Sequence, residues 1–111
     1  MENHGFDSLS SIEKSLLPEI IEDLMTEQMR EWGDLQLEGD LFRVMRFGHI
    51  VKGYGRQYRM EELAEWGRKV EAAAQEIDRE VLKALLPDFP MMVEKTALAV
   101  KKWLSDRQKK D

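Results

Sequence analysis

The chain contains no cysteine and only two histidines among its 111 residues. Without thiols, neither disulfide bonds nor thiolate metal sites can form. The di-metal sites of helical bundles pair a histidine with a glutamate three residues before it, and neither His4 nor His49 is preceded in this way. We therefore expect no bound metal and no cofactor in this protein.

Long apolar runs are also missing. No stretch approaches the roughly 18 apolar residues that a membrane span needs, and the N-terminus lacks the basic start and apolar core of a signal peptide. Isoleucine and valine never alternate with polar residues over the length of a strand, and the hairpin dipeptides Asn-Gly and Asp-Gly do not occur. These absences predict a soluble, cytoplasmic, all-α protein that does not bind a membrane.

An excess of positive charge is absent as well. The 17 Lys and Arg residues are outnumbered by 22 Asp and Glu residues, which gives a net charge of −5, so we expect no nucleic acid among the partners. The sequence has no glycine-rich phosphate loop and no kinase signature. We therefore predict that the protein has no ATP site of its own and that it is not an enzyme.

What the sequence does contain is helical periodicity across a length suited to one domain. Ser10 and Glu13 fit a reciprocal capping box at the start of the first helix, and Pro18 is expected to end that helix and start the next. The predicted helices span residues 11–17, 18–32, 41–57, 60–77, 79–86 and 89–103.

These helices predict an antiparallel four-helix bundle with a short N-terminal helix across one end. The bundle is expected to comprise residues 10–106, between a disordered N-terminus (1–9) and a basic C-terminal tail (107–111). The clearest apolar stripe lies on the fourth helix, where spacings of three and four residues connect Met60, Leu63, Gly67, Val70, Ala74 and Ile77.

His49 is the most informative residue because it points away from the predicted core face of its own helix. At about 100° of rotation per residue, the small and apolar residues of this helix share one face: Leu41, Val44, Gly48, Val51, Gly55 and Tyr58. The face around His49 carries an unusual mixture of side chains: Phe42, Met45, Lys52, Gly53 and Arg56. This mixture predicts a functional imidazole; the alternative is an incidental surface histidine.

The residues one helical turn after His49 suit a phosphorylated imidazole. A neutral imidazole offers one ring nitrogen as a nucleophile, and Lys52 lies within side-chain reach to contact phosphoryl oxygens. Gly53 costs about 1 kcal/mol of helix propensity relative to alanine. We interpret that cost as the consequence of leaving room for an incoming partner.

Residues 49–53, His-Ile-Val-Lys-Gly, resemble the His-x-x-Lys-Gly core of histidine-containing phosphotransfer (HPt) domains, the phosphocarrier bundles of multistep two-component relays. The resemblance covers about residues 42–70 and includes Gly55, Tyr58, Met60 and Leu63. It implies that His49 is the phosphoacceptor, that Lys52 faces the phosphoryl group and that Gly53 opens access to it.

The same resemblance implies a monomeric carrier that accepts a phosphoryl group from the aspartyl phosphate of one receiver domain and passes it to another. Response-regulator receiver domains and a hybrid histidine kinase are the implied partners, and Mg²⁺ is expected on the receiver. Phe42, Met45 and Arg56 are the predicted docking residues, since exposed apolar surface rimmed by charge marks interaction sites. The alternative for the two apolar residues is burial beneath the short N-terminal helix.

Two positions depart from the family pattern. Tyr54 stands where a small residue is usual, and Arg59 stands where a glycine often supplies backbone freedom between helices. These departures leave a second function open, in which the protein is an interaction or inhibitor module that docks a receiver domain or a histidine kinase without being phosphorylated.

Overall fold

The computed structural model describes residues 5–110, with side chains described as far as Arg107. Every regular element in this range is helical, and the molecule is elongated, with extents of 52 × 22 × 22 Å. His4, which the sequence offers as the second imidazole, lies outside the described residues. The elements in chain order are a 3₁₀-helix (Phe6–Ser8), α1 (Ser11–Asp23), a π-helix (Leu24–Gln28), α2 (Met29–Gly33), α3 (Phe42–Gln57), α4 (Glu61–Gln75), α5 (Arg79–Leu85), a second 3₁₀-helix (Leu86–Asp88) and α6 (Phe89–Lys110).

Helix α1 begins at the predicted capping box. The Ser10 hydroxyl accepts a hydrogen bond from the Glu13 amide at 3.1 Å, and the Glu13 carboxylate accepts one from the Ser10 amide at 3.0 Å. The predicted break at Pro18 is wrong, because α1 continues through this residue to Asp23. Pro18 is exposed and removes one helical hydrogen bond, while Leu17 beside it is fully buried and keeps the helix on the core.

A π-helix, not an α-helix, follows α1 over Leu24–Gln28. Its wider turn shifts the residues that face the core, so Leu24 is fully buried while the next residue, Met25, is 55% exposed. The first long helical segment is therefore Ser11–Gly33 with an internal change of turn, and no short helix over 11–17 exists as a separate element.

Residues 5–9 were expected to be disordered, but they contact α6. Phe6 is only 1% exposed, and its ring meets the Trp103 ring edge to face with 5.7 Å between centroids. The Trp103 indole N–H also donates to the Asp7 carboxylate at 2.9 Å. One aromatic residue in an aperiodic stretch thus ties the chain start to α6. At the other end, the predicted tail from residue 107 begins inside α6, whose backbone stays helical to Lys110.

Helices α3 and α4 share the most intimate contact in the molecule. A Cβ on Gly55 would lie 2.5 Å from the Ala64 backbone nitrogen, and a Cβ on Gly48 would lie 2.8 Å from the Glu71 nitrogen. A Cβ on Gly67 would lie 2.6 Å from the Lys52 nitrogen. The later residues of α3 therefore contact the earlier residues of α4, and the earlier residues of α3 contact the later residues of α4. The two backbones touch where only glycine leaves space.

One residue of the predicted apolar stripe, Ile77, lies in the turn after α4 and not in the core. Leu63, Gly67, Val70 and Ala74 are buried as expected, but α4 ends at Gln75 and Ile77 is 63% exposed. Ile77 has a φ of 54°, a left-handed conformation that a β-branched residue rarely adopts. It therefore lies in a turn and presents its side chain to solvent.

The junction between α5 and α6 lies against two tryptophans. Asp78 caps α5, because its carboxylate accepts a hydrogen bond from the Val81 amide. The Trp66 indole donates to the Leu85 carbonyl at 3.0 Å, and the Trp32 indole donates to the Leu86 carbonyl at 2.7 Å. Both indoles thus connect earlier helices to the backbone at this junction, where the prolines at 87 and 90 cannot donate amide hydrogens. No helix in the described part of the chain is long and apolar enough to cross a membrane.

Candidate functional site

His49 lies on α3 with its side chain 65% exposed. The opposite face of the helix is buried as predicted, and both Val44 and Val51 are completely inaccessible. The orientation inferred from periodicity is therefore confirmed. An imidazole in this position contributes little to the core and is open to molecules in solution.

Glu71 of α4 contacts both His49 and Lys52 through its carboxylate oxygens. Its Oε2 lies 3.0 Å from His49 Nδ1, and its Oε1 lies 2.6 Å from the Lys52 ammonium nitrogen. The Glu71 and Lys52 side chains are half-buried, at 15% and 17% exposure. One carboxylate thus bridges a cation and an imidazole, and the resting charges of the trio cancel when the imidazole is neutral.

The charge state of Glu71 decides which nitrogen of His49 carries the proton. The hydrogen bond from the Lys52 ammonium lowers the pKa of Glu71; burial opposes this effect, and the His49 contact adds to the lowering. Glu71 is consequently ionised at neutral pH. A carboxylate can only accept hydrogen bonds, so Nδ1 of a neutral His49 must donate its N–H, which leaves the lone pair on Nε2 at the other edge of the exposed ring.

The close contact between the helices aligns these three side chains. Because Gly48 and Gly67 bring the two backbones together, Glu71 lies directly across from the turn that carries His49 and Lys52. The surface beyond His49 is open, since a Cβ on Gly53 would meet nothing within 4 Å. The glycines of this region therefore have two roles: those at the interface permit contact, and Gly53 leaves solvent-side space.

The predicted docking residues do not form one cluster. Phe42 is 56% exposed and Met45 is half-buried; both line a surface groove of about 440 Å³ together with Ile77. This groove begins one helical turn from His49, because Met45 precedes it by four residues. Arg56 is also exposed and forms no ion pair within the described residues, but it lies about 10 Å along the helix in the opposite direction.

Both departures from the phosphotransfer pattern are accommodated. Tyr54 is half-buried and its hydroxyl donates to the Asp23 carboxylate at the end of α1. Arg59 has a φ of 61°, which is the conformation that a glycine would take without strain. Neither residue forms a hydrogen bond with His49, which is bound to Glu71.

Sequence reasoning missed Glu71 and Ile77. Glu71 is separated from His49 by 22 positions, and only the pairing of α3 with α4 makes them neighbours. The glycines of the two helices could have indicated this pairing, because small residues on successive helices favour a close helix–helix contact and so suggest a register. Over residues 5–107, no cluster of three or more potential metal ligands is present.

Comparisons with protein-family models, curated proteins and solved structures find no match to this chain.

Proposed function

We propose that this protein is a phosphocarrier of the HPt type, with an antiparallel four-helix bundle that presents His49 to receiver domains. The observation that supports this most directly is the contact between His49 Nδ1 and Glu71 at 3.0 Å. It leaves Nε2 as the nucleophilic nitrogen on an exposed helix surface. Phosphoryl transfer requires mainly positioning and charge balance, and an oriented imidazole beside a cation provides both.

Acceptance of the phosphoryl group would follow from this geometry. The Nε2 lone pair attacks the phosphorus of an aspartyl phosphate on the partner, the bond from phosphorus to the aspartyl oxygen breaks, and its electron pair remains on the aspartate. Passing the group on is the same step in reverse with a second receiver. Mg²⁺ bound to the receiver would neutralise the charge that develops on the transferred oxygens.

Lys52 has a resting role as well as the proposed one. Its ammonium group is paired with Glu71 before any phosphoryl group arrives, so it contacts the phosphoryl oxygens by reaching outward from this pair. We expect Lys52→Ala to slow transfer and also to cost about 1 kcal/mol of stability, since it leaves a half-buried carboxylate without its charged partner.

The decisive experiment mixes the protein with a phosphorylated receiver domain and follows acid-labile phosphate. His49→Gln should abolish acceptance while changing the free energy of unfolding by no more than about 0.5 kcal/mol, because the side chain is exposed. His4→Gln is the matched control and should accept the phosphoryl group normally. Labelling that survives in the folded His49→Gln variant would exclude His49 as the acceptor.

Access to Nε2 can be tested at Gly53. The open surroundings of this residue mean that Gly53→Ala should stabilise α3 by up to about 1 kcal/mol, whereas Gly53→Glu should block transfer by its bulk and by repulsion of the phosphoryl group. Transfer at the parental rate in Gly53→Glu would contradict the proposed docking geometry.

The alternative of an unphosphorylated docking module makes a different prediction for the same mixture. Such a module would bind the receiver with equal affinity in the parent and in His49→Gln, and it would acquire no acid-labile phosphate. No contact among the described residues favours this alternative over the carrier.

A further inference from the structure

We propose that Glu71 keeps Nδ1 of His49 protonated through the whole transfer cycle, which makes the site a two-way carrier. This inference rests on the proposed function and assigns to Glu71 a positioning role, exerted through His49 and not by contact with the phosphoryl group. It concerns the phosphorylated state of the ring, whose chemistry differs from that of the free imidazole.

The geometry gives Glu71 the properties that this role needs. Its carboxylate is 3.0 Å from Nδ1 and is half-buried, so solvent and salt screen the contact less than they would at an exposed pair. The ammonium of Lys52, 2.6 Å from the other carboxylate oxygen, keeps Glu71 ionised. An ionised carboxylate next to Nδ1 favours the proton on that nitrogen in every state of the ring.

A proton held on Nδ1 allows phosphoryl transfer in both directions without proton exchange. When Nε2 attacks phosphorus, the ring becomes a phosphorylated imidazolium that keeps its Nδ1 proton, and its new positive charge faces the negative Glu71. In the reverse step the bond between Nε2 and phosphorus breaks, the electron pair returns to Nε2, and the ring leaves as neutral imidazole. Neither direction requires a proton to enter or leave.

Without the carboxylate, the phosphorylated ring would lose its Nδ1 proton more readily. The leaving group in the onward step would then be an imidazolate anion, which departs far less easily than neutral imidazole. Glu71 therefore maintains the reactive, protonated form of the phosphorylated ring at a higher pH than the ring would reach alone.

Other charged groups near the ring are few. Lys52 on α3 shares Glu71 with His49 and so opposes its effect on the ring. Arg68 on α4 lies one turn before Glu71 but is bound to Glu65 at 2.6 Å. Arg46 lies one turn before His49 on α3 and lines a separate groove with Glu27 and Glu31. Among the described residues, Glu71 is the carboxylate that forms a hydrogen bond or ion pair with the ring.

The test phosphorylates His49 chemically with phosphoramidate, which needs no partner protein, and follows phosphoryl loss by ³¹P NMR across the neutral pH range. Loss is fast where Nδ1 is protonated and slows as the pH rises. The midpoint of this profile should lie about one pH unit lower in Glu71→Gln than in the parent, which makes loss up to about tenfold slower between the two midpoints. Circular dichroism confirms that the isosteric variant is folded.

Lys52 supplies the control, because Glu71→Gln also frees this ammonium to hold the phosphoryl group. Lys52→Met should leave the midpoint at or above that of the parent, and adding Glu71→Gln to it should lower the midpoint again. An unchanged midpoint in Glu71→Gln would overturn the inference. A shift that disappears in the Lys52→Met background would also overturn it, because the freed lysine would then be the cause.

The two proposals fail separately. A protein that shows the expected pH profile after chemical phosphorylation but accepts nothing from phosphorylated receivers would contradict the carrier function alone. A protein that accepts the group from receivers but has the same profile with and without Glu71 would contradict the role of Glu71 alone.

Discussion

The α3–α4 pair and the arm formed by α1, the π-helix and α2 are packed in different ways. In the pair, backbone meets backbone, so that a Cβ on Gly55 would lie 2.5 Å from the Ala64 nitrogen. In the arm, contact with the rest of the protein is made through side chains such as the fully buried Leu17 and Leu24. The arm also contains an internal proline and a change of helical turn.

This difference shows which region can tolerate irregularity. A backbone contact allows only one register between two helices, because a shift by one residue would make the backbones clash. Contacts made through side chains tolerate such shifts, because side chains can repack. The proposed site belongs to the α3–α4 pair, and the contact of His49 and Lys52 with Glu71 depends on that register.

The largest expected effect comes from filling the space between α3 and α4. Gly55→Ala places a Cβ against the backbone of Ala64, which cannot move without separating the helices, and should destabilise the protein by about 3 kcal/mol or more. Chemical denaturation monitored by circular dichroism measures this cost. Gly53→Ala is the matched control in the same helix and should be neutral or stabilising; equal losses in both variants would contradict the backbone-contact interpretation.

Removing the proline from the arm should have the opposite sign. Proline costs about 3 kcal/mol relative to alanine inside a helix, and the greater freedom of the unfolded alanine variant offsets up to about 1 kcal/mol of this. Pro18→Ala should therefore raise the free energy of unfolding by about 2 kcal/mol in a denaturant titration. If the variant is less stable, the packing of the proline ring matters more than the missing hydrogen bond.

The turns at the two ends of α4 are expected to respond more weakly. Ile77 and Arg59 have φ values of 54° and 61°, and glycine takes such angles without strain, so Ile77→Gly and Arg59→Gly should each stabilise the protein by about 1 kcal/mol. Melting temperatures provide the measurement. In the receiver mixture, Ile77→Gly should also weaken docking if the groove with Phe42 contacts the partner; unchanged docking would remove Ile77 from that surface.

A similarly small effect is expected at the Tyr54–Asp23 hydrogen bond, which connects the two regions. Burial, assisted by this bond, raises the pKa of Tyr54 from 10.0 to about 12. The folded state thus holds the phenolic proton more tightly than the unfolded state does. The resulting stability is fully present below pH 10 and is lost as the pH rises towards 12.

Tyr54→Phe should remove that pH dependence and cost about 1 kcal/mol near neutral pH. Ultraviolet titration of the phenols in the parent and the variant gives the ionisation of Tyr54 as a difference. A difference curve centred at the ordinary tyrosine value would show that Tyr54 is neither desolvated nor bound to Asp23.

Local patterns in the sequence predicted much of the framework correctly. The buried face of α3, the outward orientation of His49 and the capping box of α1 all depend on residues within one or two turns of each other. The sequence predicted a break at Pro18 and an uninterrupted helix over residues 18–32. Tertiary packing instead keeps α1 continuous through Pro18, and a π-helix changes the spacing of the residues after it. Phe6 was missed because a single aromatic residue has no period.

The sequence by itself determined that the chain is helical and that His49 faces outward beside Lys52 and Gly53, since these properties follow from 3.6-residue spacing within one helix. The tertiary structure alone decided that Glu71 joins His49 and Lys52. That contact spans two helices, and its register is set by glycines that touch the opposite backbone. A carboxylate 22 positions away becomes the partner of an imidazole only when those backbones meet.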